Sequence, residues 1–335
     1  MSHRISLTLA CGDYEITRAL REGTVKPAGI DLTIIDNLDS ATRHWRFLRN
    51  REFDMAETSS CSYVMAREAG MAVQAIPVFL HRRFRHGFVF INSGKGIRKP
   101  SDLTGRKIGC KEFTVSAVHW MRGILEHEYG LPHNSMEWVT ELDEDVDFTP
   151  PPGLRITRLP DDRDLEQMLL EGEIDALISP DLIESLRRGD PRVARLFPDY
   201  KAEEIAYYRK TGIFPIMHVM GVKPEVVEKF PWVAISMYDA FEESKAIAMK
   251  RMENPRIVPL AWYREAWEEQ QALLGPDPWE YGLSEINKKN YDLLAQFVFE
   301  QGMTRRRMTL QDLFAKEAFE LELPLPVKHP VEYDF

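Results

Sequence analysis

The chain has 335 residues, 44% of them hydrophobic and 29% charged, and carries a formal net charge of −10. This length suits two lobes better than one small core, and the composition is that of an ordinary globular protein. The negative charge disfavours sequence-independent binding to nucleic acid, although an acidic protein can bind an anion where its positive groups are concentrated locally.

The first apolar run, Ile5 to Ala10, is interrupted by Ser6 and Thr8 and followed at once by Asp13 and Glu15. It is too short and too polar for the core of an export signal, so it predicts a first β-strand. No run approaches the length of a membrane span. We therefore expect a cytoplasmic protein with no membrane partner.

Strands and helices alternate through the first part of the chain, which is typical of a mostly parallel sheet covered by helices. In chain order we predict a strand at 4–10, a helix from Tyr14 to Glu22, a strand from Ile30 to Ile35, a helix at 40–51 with Trp45 and Leu48 at helical spacing, a strand from Phe53 to Ala56, a helix from Ser60 to Glu68, and strands from Val73 to Val78 and Gly87 to Ile91.

A second series of the same kind follows. It predicts a strand from Arg106 to Gly109, a helix from Thr114 to Tyr129, strands from Met136 to Thr140 and Leu154 to Leu159 with an exposed acidic loop from Glu141 to Gly153 between them, a helix from Leu165 to Glu171, a strand from Ala176 to Ser179 and a β-like segment from Thr211 to Val222. Everything after Pro231 is expected to be helical, with Trp232, Trp262, Trp267 and Trp279 as packing anchors.

The two series predict two lobes. Residues 1–93 and 212–335 would form lobe one, with a helical C-terminal extension, and residues 94–211 would form lobe two. A ligand cleft would lie between the lobes, beyond the C-terminal ends of the strands. Tyr14 and Thr211 fall at such strand exits and are candidate ligand-binding residues.

Residues 80–86 form the densest basic cluster and follow an apolar strand. Arginine presents a planar fork that matches a carboxylate, so this cluster suits an anionic ligand; the alternative is a solvated turn. In an extended segment Arg83 and Arg85 share one face, whereas Arg82 and His86 share the other. Arg83 and Arg85 are our candidates for substrate binding.

Two strand-to-helix turns could present free N–H groups to an anion. The turn at 110–116 contains Lys111, Glu112 and Thr114, and the turn at 57–62 contains Ser59 and Ser60. Their hydroxyls could instead be ordinary helix N-caps.

Two further groups could take part in proton transfer. Glu57 would point at the cleft, or else form a surface or hinge ion pair. His218 lies in an apolar stretch, either as a core residue or as a group that moves protons in the cleft. Three cysteines at strand exits are better explained as small residues in tight turns than as metal ligands, and no phosphate-loop, dinucleotide-binding or zinc-protease motif is present.

The chain resembles the 4,5-dihydroxyphthalate decarboxylase family, which is similar to solute-binding proteins of the type 2 periplasmic-binding-protein fold. The resemblance extends over nearly the whole chain and is carried by Arg49 to Glu57, Ala75 to Phe79, Phe84 to His86, Ser101 to Gly109, Arg122 to Leu125, Gly172 to Ala176, Leu196 to Tyr200 and Tyr208 to His218. It implies a two-lobed α/β fold.

The resemblance also implies conversion of 4,5-dihydroxyphthalate to protocatechuate and carbon dioxide, without cofactor or metal. Arg83 and Arg85 would hold the retained carboxylate, His218 or His86 would protonate the ring carbon, and Glu57 or Glu112 would accept from the phenol. The partner would be a small aromatic carboxylate, and the long C-terminal part favours a homo-oligomer. The alternatives are a non-catalytic anion-binding protein, a pyrimidine-precursor enzyme on the same fold and a regulatory sensor domain.

Overall fold

A computed structural model describes residues 4–315 and 318 of the chain. Within them the strands are β1 (Ile5–Ala10), β2 (Ile30–Ile35), β3 (Met55–Ser59), β4 (Gln74–Ile76), β5 (Val89–Asn92), β6 (Lys107–Cys110), β7 (Glu137–Thr140), β8 (Arg155–Arg158), β9 (Ala176–Ile178), β10 (Val193–Arg195) and β11 (His218–Val222). The helices are α1 (Arg18–Arg21), α2 (Ser40–Leu48), α3 (Ser60–Glu68), α4 (Ser116–Tyr129), α5 (Leu165–Glu171), α6 (Glu184–Arg187), α7 (Tyr200–Thr211), α8 (Pro224–Lys229), α9 (Trp232–Met252), α10 (Tyr263–Leu274), α11 (Glu285–Glu300) and α12 (Leu310–Leu313).

The strands form two sheets. The first has the order β2-β1-β3-β11-β4, in which β1 runs parallel to β2 and β3 while β11 runs antiparallel to β3 and β4. The second has the order β10-β5-β9-β6-β7-β8, in which β6 is parallel to β7 and β9 and β5 is antiparallel to β9 and β10. Each sheet is the centre of one lobe, as the alternating pattern predicted.

The first crossing between the lobes comes earlier than we expected. Strand β5 pairs with β9 and β10 in the second sheet, although its position in the chain suggested lobe one, because hydrogen-bond partners and not chain neighbours decide the sheet of a strand. The crossing therefore precedes Val89 instead of lying near residue 94. The chain rejoins the first sheet at β11, which begins at His218.

The two crossing segments run side by side. Arg82 and Ile216 form an isolated antiparallel bridge, and the N–H of Met217 donates to the carbonyl of His81 at 2.9 Å. Trp120 of α4 donates its indole N–H to the carbonyl of Ile216 at 2.8 Å. These contacts place residues 81–85 and 216–218 together between the two sheets.

Several sequence predictions were wrong in detail. Residues 211–217 are not strand: Thr211 ends a helix, and β11 starts seven residues later. The acidic loop is not wholly exposed, since Asp145 and Val146 are buried. Trp232 and Trp262 are 40% and 77% exposed, so neither is the fully packed anchor that we predicted among the described residues. The helical prediction for the C-terminal end lies outside the described residues beyond Ala315, apart from Ala318.

The helices of the C-terminal part close the core by tight contact with both lobes. Gly123 lies on the buried face of α4, where an added Cβ would come within 2.0 Å of a ring carbon of Phe297 on α11. Phe297 is itself buried and packs edge-on against Trp120 at a centroid distance of 5.7 Å. The close approach of α4 and α11 therefore requires glycine.

We predict that Gly123→Ala lowers the free energy of unfolding by about 1–3 kcal/mol, because overpacking outweighs the better helix propensity of alanine. Chemical denaturation would measure the loss. The double variant Gly123→Ala with Phe297→Leu should recover part of it, because a smaller side chain then faces the new methyl group. Unchanged stability of the single variant would show that the two helices are not packed in this way.

Candidate functional site

The carboxylate of Glu57 lies at the centre of the site. Glu57 is fully buried in β3, and four groups from different elements converge on it. Oε2 pairs with Arg43 Nη2 of α2 at 2.8 Å and accepts from the N–H of Gly12 at 2.8 Å. Oε1 accepts from the Tyr14 hydroxyl at 2.8 Å and lies 2.6 Å from His218 Nδ1.

These partners decide the charge of Glu57. Burial opposes ionisation, but the guanidinium of Arg43 and the ring of His218 outweigh it and hold the pKa of the carboxyl well below its ordinary range. Glu57 is therefore ionised, and its oxygens are already engaged. Glu57 orients Tyr14 and His218. It has no free oxygen to accept from a substrate phenol, which is the role that we had expected for it.

Three imidazole rings lie together beside Glu57. His218 contacts His44 of α2 edge-on at a centroid distance of 4.8 Å and His81 at 4.7 Å. Nε2 of His44 and Nδ1 of His81 are buried without a hydrogen-bond partner. Burial lowers the pKa of all three histidines, well below 6.5 for His44 and His81, so the rings are neutral near pH 7.

The neutral state defines what His218 can do. Its Nδ1 carries the proton that is donated to the Glu57 carboxylate, because an ionised carboxylate is only an acceptor. Nε2 is then left with its lone pair. A carboxylate that fixes the tautomer of a histidine in this way prepares the opposite nitrogen to accept a proton.

Arg85 places an unpaired positive charge next to these rings. It is buried, Nε contacts the sulfur of Met217 at 3.2 Å, and Nη1 donates to the carbonyl of Pro180 in lobe two at 2.8 Å. Arg85 forms no ion pair with a carboxylate of the described residues. Burial lowers its pKa to about 9, and its charge in turn helps to lower the pKa of His81 and His218.

The other members of the basic cluster have different surroundings. Arg83 is exposed. Its guanidinium and that of Arg85 each lie 5.3 Å from the centre of the Phe88 ring. Arg82 is buried on the other side, where Nη2 donates to Asn287 Oδ1 at 2.6 Å. The predicted alternation is not kept: Arg82 and His86 have different surroundings, and Arg83 and Arg85 differ in burial, because the extended chain ends where a helical turn begins at His86.

The starts of α3 and α4 meet at this place. The hydroxyls of Ser59 and Ser116 are 2.8 Å apart, and the Ser116 oxygen also accepts from the N–H of Cys61 at 3.1 Å. Two positive helix ends from two lobes therefore point toward the same region. Ser60 takes no direct part, since its hydroxyl accepts from Tyr291 at 3.0 Å.

The turn before α4 is not an open anion site. The carboxylate of Glu144 in the acidic loop accepts from the N–H groups of Phe113 and Thr114 at 2.7 and 2.9 Å, and from the Thr114 hydroxyl at 2.5 Å. The protein thus supplies its own anion where we expected a ligand. Lys111 is half-buried at the same turn, and its carbonyl accepts from residues 141 and 142.

Two buried carboxyl groups of lobe two have raised pKa values. Asp145 accepts from the Ser62 hydroxyl at 3.0 Å, and its Oδ2 lies 3.9 Å from His44 Nδ1. Burial raises its pKa to about 7. Burial and the charges of Asp145 and Glu144 raise the pKa of Glu112 to about 8, so Glu112 is suited to donate a proton and not to act as the base that we predicted.

Two predicted site residues lie elsewhere. His86 is buried among the rings of Tyr129, Phe197 and Tyr207 at centroid distances of 5.2–6.2 Å, and neither ring nitrogen has a partner. Thr211 caps the end of α7, where its hydroxyl donates to the carbonyl of Tyr207 at 2.8 Å. The structure therefore does not bring His86 or Thr211 together with Glu57 and His218.

Sequence reasoning missed Arg43, His44, His81 and Asp145. The sequence does contain a signal for Arg43 and His44. Positions 43, 44, 47 and 48 are the buried positions of α2, and their spacing follows the period of a helix. A charged residue on that face requires a buried partner. Asp145 gave no local signal, because it comes from a loop of the opposite lobe.

The described residues contain neither a metal-binding cluster nor a membrane-spanning helix. No group of three or more histidine, cysteine, aspartate or glutamate side chains there is arranged to hold a metal ion. No helix in the same part of the chain is long and apolar enough to cross a membrane. Cys11, Cys61 and Cys110 are free and buried.

Comparison with solved structures supports the fold. The alkanesulfonate-binding protein SsuA from Xanthomonas axonopodis pv. citri, bound to MOPS, aligns with a TM-score of 0.58 at 12% identity, over 94% of this chain and 99% of its own. SsuA from Escherichia coli gives a TM-score of 0.56 at 12% identity, over 95% and 99% of the two chains. The predicted two-lobed periplasmic-binding-protein fold is confirmed.

Sequence comparison identifies the family. Residues 16–146 match the family model described as NMT1/THI5 like. A 4,5-dihydroxyphthalate decarboxylase from Pseudomonas putida is 31% identical over 62% of this chain and 83% of its own. The enzyme of that name from Comamonas testosteroni is 32% identical over 95% of this chain and 98% of its own, and the chain therefore belongs to the 4,5-dihydroxyphthalate decarboxylase family.

Proposed function

We propose that this protein decarboxylates 4,5-dihydroxyphthalate to protocatechuate and carbon dioxide without a cofactor. The observation that carries the proposal is the buried guanidinium of Arg85, which forms no ion pair among the described residues and contacts Met217, the residue before His218, whose proton position is fixed by Glu57. Such a pair suits a substrate that has both a carboxylate and an ionisable hydroxyl. The two decarboxylases that this chain resembles support the same reaction.

Substrate binding would use the positive groups between the lobes. Arg85 would form a charge-assisted fork with the retained carboxylate, and the exposed Arg83 would contact it nearer to solvent. The N-terminal end of α3, with Ser59 at its start, would favour the second negative charge, because Glu144 already occupies the N–H groups in front of α4. Tyr14 follows β1 of the first sheet and would orient the ring through its contact with Glu57, whereas Lys111 follows β6 of the second sheet and would add a positive charge from lobe two.

The chemistry consumes one proton for each carbon dioxide released. His218 Nε2 would accept the proton of the hydroxyl para to the departing carboxylate, while an acid protonates the ring carbon that bears this carboxylate. The carbon–carbon bond of the resulting dienone then breaks, its electron pair restores the aromatic ring, and the phenolate recovers its proton from His218. Exclusion of water by the two lobes would keep both proton transfers within the site.

We assign the acid to Asp145 and place Glu112 behind it. Asp145 lies next to His44, which contacts His218, and it is protonated in part near neutral pH. Glu112 is more strongly protonated, and its pKa responds to the charge of Asp145, so it can return a proton after turnover. The two carboxyls belong to lobe two, whereas His218 belongs to lobe one.

We further propose that the protein acts in the cytoplasm as a homo-oligomer. Three free, buried thiols fit a reducing compartment. Light scattering of the purified chain would give the number of subunits, and fractionation of the cells that produce it would give its location.

Incubation of the purified, metal-depleted protein with 4,5-dihydroxyphthalate should release carbon dioxide and form an equal amount of protocatechuate. His218→Gln should lower kcat by roughly 10²–10⁴-fold, because glutamine cannot take up the phenolic proton. His127→Gln is the matched control, since His127 is an exposed histidine of α4 that pairs with Glu300. Tight binding of the dicarboxylate without any turnover would instead establish a binding protein.

Arg85→Ala should weaken the binding of phthalate, an unreactive analogue, by on the order of 10²-fold, because the retained carboxylate loses a buried fork. Calorimetric titration would measure the affinity. Arg155→Ala removes the same charge from the edge strand β8, where Arg155 is exposed and paired with Glu137, and should bind phthalate as the unmodified protein does. Equal affinities of both variants would remove Arg85 from the site.

The rate should show a maximum near neutral pH. It should fall as the pH rises through about 7–8, because Asp145 and Glu112 lose their protons, and fall below the depressed pKa of His218, because Nε2 becomes protonated. Asp145→Asn should remove most of the activity and abolish the alkaline limb near pH 7.

Glu112→Gln is the matched variant for this pH profile. It should retain the activity of the unmodified protein to within a few-fold, because Glu112 lies behind the proton donor. The alkaline limb of the pH profile should still be set by Asp145. The opposite pattern, in which Asp145→Asn keeps the profile and Glu112→Gln loses it, would move the role of the acid to Glu112.

A further inference from the structure

An apolar groove lies on the outer side of lobe one, away from Glu57. Its volume is about 520 Å³. One wall is strand β4 with Ile76 and Pro77, and the other is the start of α9 with Trp232, Ala234 and Ile235. Trp232 and Ile235 are 40% and 53% exposed, which is high for large apolar side chains that lie next to each other.

The strand along the groove has a free edge. Strand β4 is the last strand of the first sheet and pairs on one side with β11, through Gln74 to Ile76. An exposed edge strand next to apolar side chains is a site at which a further extended segment can add. The groove therefore suits a peptide with apolar residues at every second position.

The chain itself leads into the groove. Phe314 is buried against Tyr63, Phe79 and Tyr291, which fixes the direction in which the polypeptide continues. Ala315 and Ala318 then line the groove. Residues 319–335 follow, and each residue of an extended chain spans about 3.3 Å, so their first part is long enough to reach along β4.

The sequence of that segment has the required pattern. Apolar residues occur at every second position, namely Phe319, Leu321, Leu323, Leu325 and Val327. Pro324 and Pro326 lie between them, and proline disfavours a helix interior but is tolerated in an edge strand. This period of two differs from the helical period that we expected for the whole C-terminal part.

We propose that residues 319–327 of the same chain bind in this groove, with their apolar side chains against Ile76, Trp232 and Ile235. The segment would cover the free edge of β4 and the exposed apolar surface of α9. This proposal is independent of the catalytic assignment, because the groove shares no residue with the site around Glu57.

Disulfide trapping tests the proposal in the full chain. A variant with Ile235→Cys and Leu323→Cys should form an intramolecular disulfide under mild oxidation, seen as a monomer on a non-reducing gel and as a loss of two hydrogens in the mass. The native cysteines are buried and do not compete. Because docking raises the local thiol concentration, the rate should exceed that of the control pairs by at least about tenfold.

Two control pairs isolate the predicted contact. Ile235→Cys with Glu322→Cys places the second thiol on the opposite face of the segment. Ile286→Cys with Leu323→Cys replaces an isoleucine that is as exposed as Ile235, at 53%, but belongs to α11. Equal rates for all three pairs would overturn the proposal, and so would a disulfide-linked dimer, which would assign the groove to the segment of a second copy.

A second measurement does not depend on cysteine chemistry. Deletion of residues 319–335 should expose the groove, increase the fluorescence of a hydrophobic dye and lower Tm. A synthetic peptide of residues 319–335 should reverse the dye signal, whereas a peptide with Leu321, Leu323 and Leu325 changed to serine should not. A truncated protein with unchanged dye binding and Tm would contradict the proposal.

Discussion

The buried charge of Glu57 is the constraint on which the arrangement of the site depends. An unpaired carboxylate in a protein interior costs several kcal/mol, so its partners must be in place together. Those partners come from the loop after β1, from α2 and from β11, and they bring Arg43, Tyr14 and His218 to one point. His44 and His81 then pack against the ring of His218, whose position Glu57 has already determined.

The electrostatic surroundings of the acidic loop in lobe two are opposite to those of Glu57. Glu144 occupies the N–H groups in front of α4, and Arg49 of lobe one pairs with Asp147 at the surface. Asp145 and Glu112 are buried and form no ion pair with a lysine or arginine of the described residues, so burial raises the pKa of each. One lobe thus contributes an ionised carboxylate with neutral imidazoles, and the other contributes neutral carboxylic acids. Where the environments of two groups move their pKa values apart in this way, the group with the raised pKa can act as the acid and the group with the lowered pKa as the base.

The sequence was sufficient for the fold class and for part of the site. Period-two and helical patterns predicted most elements. The strand-exit rule selected Tyr14, Glu57 and Ser59, although Glu57 and Ser59 lie within β3 and not beyond its end. Strand β5 was assigned to the wrong lobe because sheet partners are long-range contacts. His86 was grouped with Arg85 by adjacency, but the turn after Arg85 directs it into an aromatic cluster. Asp145 meets His44 across about one hundred residues of chain, a contact that local patterns do not encode.

Binding and catalysis make different demands on such a site. To bind a dicarboxylate, the start of α3 and an arginine between the lobes are sufficient. Proton transfer also requires a base that is unprotonated and an acid that is protonated at the same pH. Burial disfavours the charged form of both kinds of group, so it lowers the pKa of His218 and raises that of Asp145. The exclusion of water that a two-lobed protein uses to hold its ligand therefore also creates the pair of groups that a decarboxylation requires.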